Sequence, residues 1–191
     1  MDENTASLSS LSKGAKTGAP PPVGIETTAR QIIFGDIGMR IDTTGVWHYR
    51  GSPINRRPLV KLFASVLKRD DAGAFWLVTP AEVAPVSVED APFMAVDLTV
   101  TGTGRERAVR LHTNVDTSVV VSADHPLKLI EDPATGEPRP YVALGGGLEA
   151  KLTRPVYYDL VDLGVEEKRG GDQMFGIWSA GTFHVLGPAE T

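Results

Sequence analysis

The chain contains no cysteine among its 191 residues. That absence excludes a disulfide framework, cysteine-ligated zinc, iron–sulfur clusters and a cysteine nucleophile, and it is compatible with a reducing compartment. Long apolar runs are missing as well. No window approaches the roughly 18 consecutive apolar residues of a membrane-spanning helix. The opening MDENTASLSS has neither the basic start nor the apolar stretch of a secretory signal. These features read as a soluble, cytoplasmic protein. Positive charge is not in excess: 19 Lys and Arg stand against 24 Asp and Glu, a net charge of −5. The electrostatic footprint of a dedicated nucleic-acid binder is therefore lacking. Aromatic residues make up 7% of the chain, without the aromatic-basic interleaving of a base-stacking platform.

What is present is turn chemistry. Twenty glycines and 14 prolines point to many turns and short strands rather than to an all-helical fold. Residues 1–28 are rich in Ser, Thr, Gly, Ala and Pro and end in GAPPPVG, which reads as a flexible N-terminal arm. GMRIDTTGVWHYRG then suggests two strands around Asp42-Thr43-Thr44-Gly45. From Pro58 the period changes. Leu59, Leu62, Phe63, Val66 and Leu67 recur at i, i+3, i+4, i+7 and i+8, the stripe of an amphipathic helix, and the spacing extends that helix to the RDDAG turn. A run of strand candidates follows, among them APVSVED, FMAVDLTV, ERAVRLHTN, TSVVVS, PLKLI and PYVAL. RPVYYDLVDLG reads as a second helix near 155–163, VEEKRGGD as a polar loop, and MFGIWSAGTFHVLG as a hairpin turning at Ala180-Gly181.

Both helices begin with Arg-Pro, at Arg57-Pro58 and Arg154-Pro155. Each is followed by a polar Gly loop and a strand containing Phe and Trp, a weak internal duplication. Charge is also blocked. Between Arg50 and Arg69 lie six basic residues and no acid, and between Asp70 and Thr99 six acids and no base. Cations at a helix N-terminus are unfavourable unless an anion faces them. Arg56 and Arg57 therefore raise three alternatives: internal pairing with Glu82, Glu89 or Asp90, an anion-binding site built from guanidinium groups and exposed N–H groups, or solvated arginines with no partner.

Catalytic signatures are sparse. Gly145, Gly146 and Gly147 lack the Lys and Ser/Thr of a phosphate loop and read as a bulge or loop. No G-x-S-x-G elbow occurs. The four histidines show no metal-ligand spacing, and His112 and His125 could meet a carboxylate only if their strands pair. No metal, cofactor or catalytic residue is assigned.

The ordered segments GVWHYRGSPINRRPLVKLFASVLKRDDAGAFWLVTPAEVAPVSVEDAPF, HTN, HPL, YVALGGGLEA and RPVYYDLV…SAGTFHVL resemble an uncharacterised bacterial family classed only as a domain of unknown function. The resemblance runs from about residue 36 onward. It implies two structurally similar domains, the C-terminal one pleckstrin-homology-like, a ligand site at their interface, and a role in signalling. Where that family has an arginine and one glycine before GL, this chain has LGGGL, so no role of that arginine carries over.

The expected architecture is therefore α+β and duplicated. An arm (1–28) leads to a hairpin-helix-strand domain (29–86) and a larger antiparallel, pleckstrin-homology-like β domain (87–191). The expected function is a non-enzymatic module that binds a small anionic ligand or a protein, and its oligomeric state is open. The expected interdomain site comprises Arg56, Arg57, Thr79, Glu82, Asp90, Phe93, Thr113, Asn114 and Arg154. The alternative is a hydrolase-like enzyme using His112 or His125 with nearby carboxylates.

Overall fold

The computed structural model of the chain describes residues 20–189. The chain divides into two units, one ending at Pro92 and the next beginning at Phe93. The reading of residues 1–19 as an arm lies outside the described residues. The described part of the expected arm, from residue 20 on, is tethered: Pro22 is buried, the Val23 N–H donates to Asp70 Oδ2 at 3.2 Å, and the Asp71 N–H donates to the Val23 carbonyl at 3.0 Å.

In the first unit, strands β1 (Ile32–Ile33), β2 (Met39–Ile41), β3 (Trp47–Tyr49) and β4 (Ser52–Pro53) precede helix α1 (Arg57–Ser65). Strands β5 (Leu67–Arg69), β6 (Phe75–Val78) and β7 (Glu82–Val88) follow it. The sheet order is β4-β3-β2-β7-β6-β5. Strand β7 pairs in parallel with β1 through its first residues and with β2 through its last, which makes one continuous sheet. The β2–β3 hairpin turns at the expected DTTG. Its inward residues Met39, Ile41 and Trp47 are all buried, as period-2 alternation requires. Phe63 of α1 stacks on Trp47 with ring centroids 6.1 Å apart, joining helix to sheet.

The second unit contains β8 (Phe93–Thr101), a 3₁₀ turn (Gly104–Glu106), β9 (Ala108–Thr113), β10 (Ser118–Val120), β11 (Leu127–Glu131), β12 (Pro138–Gly145), β13 (Leu148–Leu152), α2 (Arg154–Val161), β14 (Val165–Arg169), β15 (Asp172–Ser179) and β16 (Thr182–Pro188). Two sheets form, ordered β10-β9-β8-β13-β12-β11 and β14-β15-β16. The β12–β13 tip is the triple glycine, with φ of 90, 58 and 75° at Gly145, Gly146 and Gly147 and a register shift beside it. Three successive left-handed residues suit only glycine, so the loop reading holds. The β15–β16 hairpin turns at Ala180-Gly181, as expected, with φ of 49 and 72°.

The α+β expectation is corrected. The regular structure among the described residues is mostly strand, 48% against 12% helix, arranged in three sheets, with two α-helices of nine and eight residues. The second unit is not purely antiparallel, because β8 and β13 run parallel. Its helix stands before the last three strands, and the strand order lends the pleckstrin-homology likeness no support. Two local errors account for the shift. The helical stripe ends at Ser65, and Leu67, which fits both periods, begins a strand paired with Leu77. VEEKR is not a loop but strand β14, an edge strand that accommodates charge on both faces.

Candidate functional site

Helix α1 begins without help. Arg56 occupies the N-cap, no side chain caps the first turn, no acid lies in it, and Pro58 stands at its start. Proline suits that place because its missing N–H is one the helix cannot use there. Arg56 and Arg57 are both exposed. The Arg56 side chain has no hydrogen bond or ion pair with any described residue. Of the acids expected to neutralise this end, Glu89 is engaged elsewhere. Its carboxylate pairs with Arg40 and accepts from the Thr43 N–H at 3.2 Å.

Thr79 and Glu82 lie at the other end of the helix. The Val78 N–H donates to the Val66 carbonyl just beyond the last turn of α1. A nine-residue helix spans about 14 Å, so the first unit does not gather Arg56, Arg57, Thr79 and Glu82 into one cluster. Thr79 and Glu82 close the β6–β7 turn: Thr79 N–H and Oγ1–H donate to the Glu82 carbonyl at 2.9 and 3.0 Å, and Gln31 Nε2 donates to the Thr79 carbonyl at 2.6 Å. Glu82 is 3% exposed. Asp90 follows β7 in the bend before the unit ends.

In the second unit, Phe93, Thr113 and Asn114 come together. Asn114 Oδ1 accepts from the Met94 N–H at 3.1 Å while the Asn114 N–H donates to the Met94 carbonyl at 2.9 Å. This clamps the β9–β10 turn to β8 next to Phe93. Thr113 Oγ1 shares a 2.7 Å bond with Thr117 Oγ1 inside that turn. Phe93 and Thr113 are buried, so these residues hold structure. Arg154 opens α2, again with no side-chain cap, and faces Glu137 at 3.7 Å with both side chains mostly exposed.

The histidines of the hydrolase reading are committed to other partners. His112 Nε2 meets Thr99 Oγ1 at 3.0 Å on an exposed sheet face, and His125 Nδ1 meets the Ala143 carbonyl at 3.0 Å. Among the described residues no cluster of three metal-ligating side chains occurs. The imidazole–carboxylate pair that does form was not expected: His48 Nε2 lies 2.7 Å from Asp42 Oδ2. Burial would raise the Asp42 pKa, but hydrogen bonds from Thr44 and His48 and the Val46 N–H overcome it and hold the carboxyl well below the usual range. The readable signal was register. His48 is opposite Arg40, so Asp42, two residues after Arg40 and just past the end of β2, shares its face.

Two family models tile the described chain. The N-terminal domain of unknown function DUF1285 matches residues 29–91, and the C-terminal domain of the DUF1285 protein of unknown function matches residues 92–186. The chain belongs to the DUF1285 family. A crystal structure of a DUF1285 family protein from Silicibacter pomeroyi DSS-3 is 43% identical, with 96% of each chain covered and a TM-score of 0.78. A second DUF1285 family structure, from Shewanella baltica OS155, is 30% identical over 65% of this chain and 91% of its own, with a TM-score of 0.53. No curated protein matches the chain. Neither DUF1285 description assigns an activity. Among the described residues no helix is long and apolar enough to cross a membrane.

Proposed function

We propose that the protein is a non-enzymatic binding module that receives an anionic group, the carboxylate or phosphate of a small ligand or of a protein partner, at Arg56 and Arg57. The observation that carries this reading is the Arg56 side chain: exposed, unpaired among the described residues, at a helix end with no acid and no side-chain cap. A guanidinium fork at the positive end of a helix suits a planar or tetrahedral oxyanion. The contrast with Arg154, which has Glu137 in front of it, supports α1 over α2 as the receiving end. A net charge of −5 favours such a local site over nucleic-acid binding. Signalling enters only as the setting that the family resemblance implies.

Thermal denaturation with increasing phosphate, citrate or a phosphopeptide tests the reading. The parent should be stabilised in a saturable way at constant ionic strength, and Arg56→Ala with Arg57→Ala should abolish the stabilisation. A parent indifferent to all three anions, or a double variant that responds as the parent does, would overturn it.

A further inference from the structure

We propose that β14 is a self-association edge, pairing antiparallel with β14 of a second copy of this chain across a two-fold axis. Among the described residues β14 is hydrogen-bonded on one side only, to β15. Its outer N–H and C=O groups therefore present a free ladder, a template for another strand. The other edge of the same sheet, β16, is approached by β11, so the two edges are not equivalent.

The sequence of β14 decides which strand fits. A two-fold axis normal to the sheet keeps each side chain on its own face, so only registers in which one residue meets its own copy are allowed. Centred on Glu167, the VEEKR strand sets Glu166 opposite Lys168 of the second copy, and Lys168 opposite Glu166, two oppositely charged pairs on one face. Opposite charges directly across a ladder stabilise it and like charges destabilise it. Lys168 makes no ion pair with a described residue, and Glu166 has only a 3.4 Å bond from Gln173 Nε2. Both are exposed and available to the second copy.

The other face carries the central Glu167 pair, and the fold has already neutralised it. Glu167 lies 3.0 Å from Arg169 and 3.6 Å from Arg105, and accepts from Trp178 Nε1 at 2.9 Å. Each carboxylate thus arrives with two guanidinium groups. Val165, 42% exposed, would lie across from the Arg169 stem and be covered by it. A lone charged edge strand is ordinarily a guard against pairing. Here the two signs are ordered so that the guard fails against one partner, the strand itself. The alternative register centred on Lys168 would set two ammonium groups face to face with no acid to shield them.

Sedimentation velocity on the full chain over a wide micromolar range tests this. The parent should show a reversible, concentration-dependent monomer–dimer equilibrium. Lys168→Glu, which puts carboxylates face to face, should weaken dimerisation at least about tenfold. Glu166→Lys combined with Lys168→Glu, which restores the pairing with signs exchanged, should recover it. Hydrogen exchange of residues 165–169 in the parent should slow as concentration rises, a readout that does not depend on how the variants fold. A parent monomeric throughout, association unaffected by Lys168→Glu, or exchange at β14 that ignores concentration would each overturn the proposal.

Discussion

Each unit arranges one order of elements, a three-stranded meander, an Arg-Pro helix and a second meander, but closes it differently. In the first unit the first strand of the leading meander, β2, and the last strand of the second, β7, join as a parallel ladder, so one sheet results. In the second the corresponding strands, β11 and β16, approach each other but remain in separate sheets. There a side chain ties the last meander to the larger sheet. Buried Ser179 donates its Oγ–H to the Val121 carbonyl at 2.6 Å and accepts the Val109 N–H at 3.0 Å. Closure by a ladder distributes the work over backbone groups that any sequence possesses. Closure in the second unit places two of its bonds on one hydroxyl that can be deleted, beside the Ala180 and Gly181 N–H groups, which donate to the Arg107 and Arg105 carbonyls of the β8–β9 connection at 2.7 and 3.3 Å.

The sharpest way to break this comparison is Ser179→Ala. It leaves a buried N–H and a buried carbonyl without partners and should cost about 2–3 kcal/mol. Segment-resolved hydrogen exchange should place the loss in the second unit. Equal loss in both units would mean that they unfold as one body and that the distinction in closure has no energetic content.

Acidification should separate the units next. His184 in the second unit is 6% exposed, its Nε2 has no hydrogen-bond partner among the described residues, and burial lowers its pKa below the ordinary 6.5. The unfolded chain therefore takes the proton first, and stability is lost as pH falls below about 6.5. Asp42 and Asp70 of the first unit have pKa values lowered from an ordinary 3.8. Their contribution is intact above that value and is lost as pH falls from it toward the lowered values of the folded state. Denaturation at pH 7.5 and pH 5 should weaken the second unit alone, and His184→Phe should remove the difference. Parallel decline of both units would contradict the assignment.

The smallest effects concern the paired helix starts. Arg154→Ala removes an exposed 3.7 Å contact and should change stability by less than about 0.5 kcal/mol. Arg56→Ala, in the absence of added anion, should be neutral or stabilising by a few tenths of a kcal/mol. Chemical denaturation resolves the sign, and a clear loss at Arg56 would reveal an internal partner.

Hairpins were legible wherever a turn dipeptide or tetrapeptide stood between alternating residues, as at DTTG and Ala180-Gly181. The start of α1 was legible from Pro58 and its stripe. Its end was not, because Leu67 satisfies a helical and a strand period at once. Strand β14 was illegible for a different reason: an edge strand with both faces wet has no alternation to read. The site residues mixed two kinds of signal. Arg56 stands out because a cation at a helix start is locally unfavourable, and that is a sequence-level anomaly. Thr79, Thr113 and Asn114 are polar residues whose side chains are consumed by turns, and only the hydrogen bonds distinguish consumption from availability.

The ring of Trp178 lies beneath two guanidinium groups, with Arg105 4.6 Å and Arg169 5.5 Å from its centroid. The other two tryptophans, Trp47 and Trp76, are buried in the first unit. The protein therefore carries its own optical label. A small anionic quencher such as iodide is drawn by the flanking cations to Trp178 and is kept from the other two rings. The quenchable fraction of the emission reads out the surroundings of β14, while the protected fraction reads out the integrity of the first unit's core.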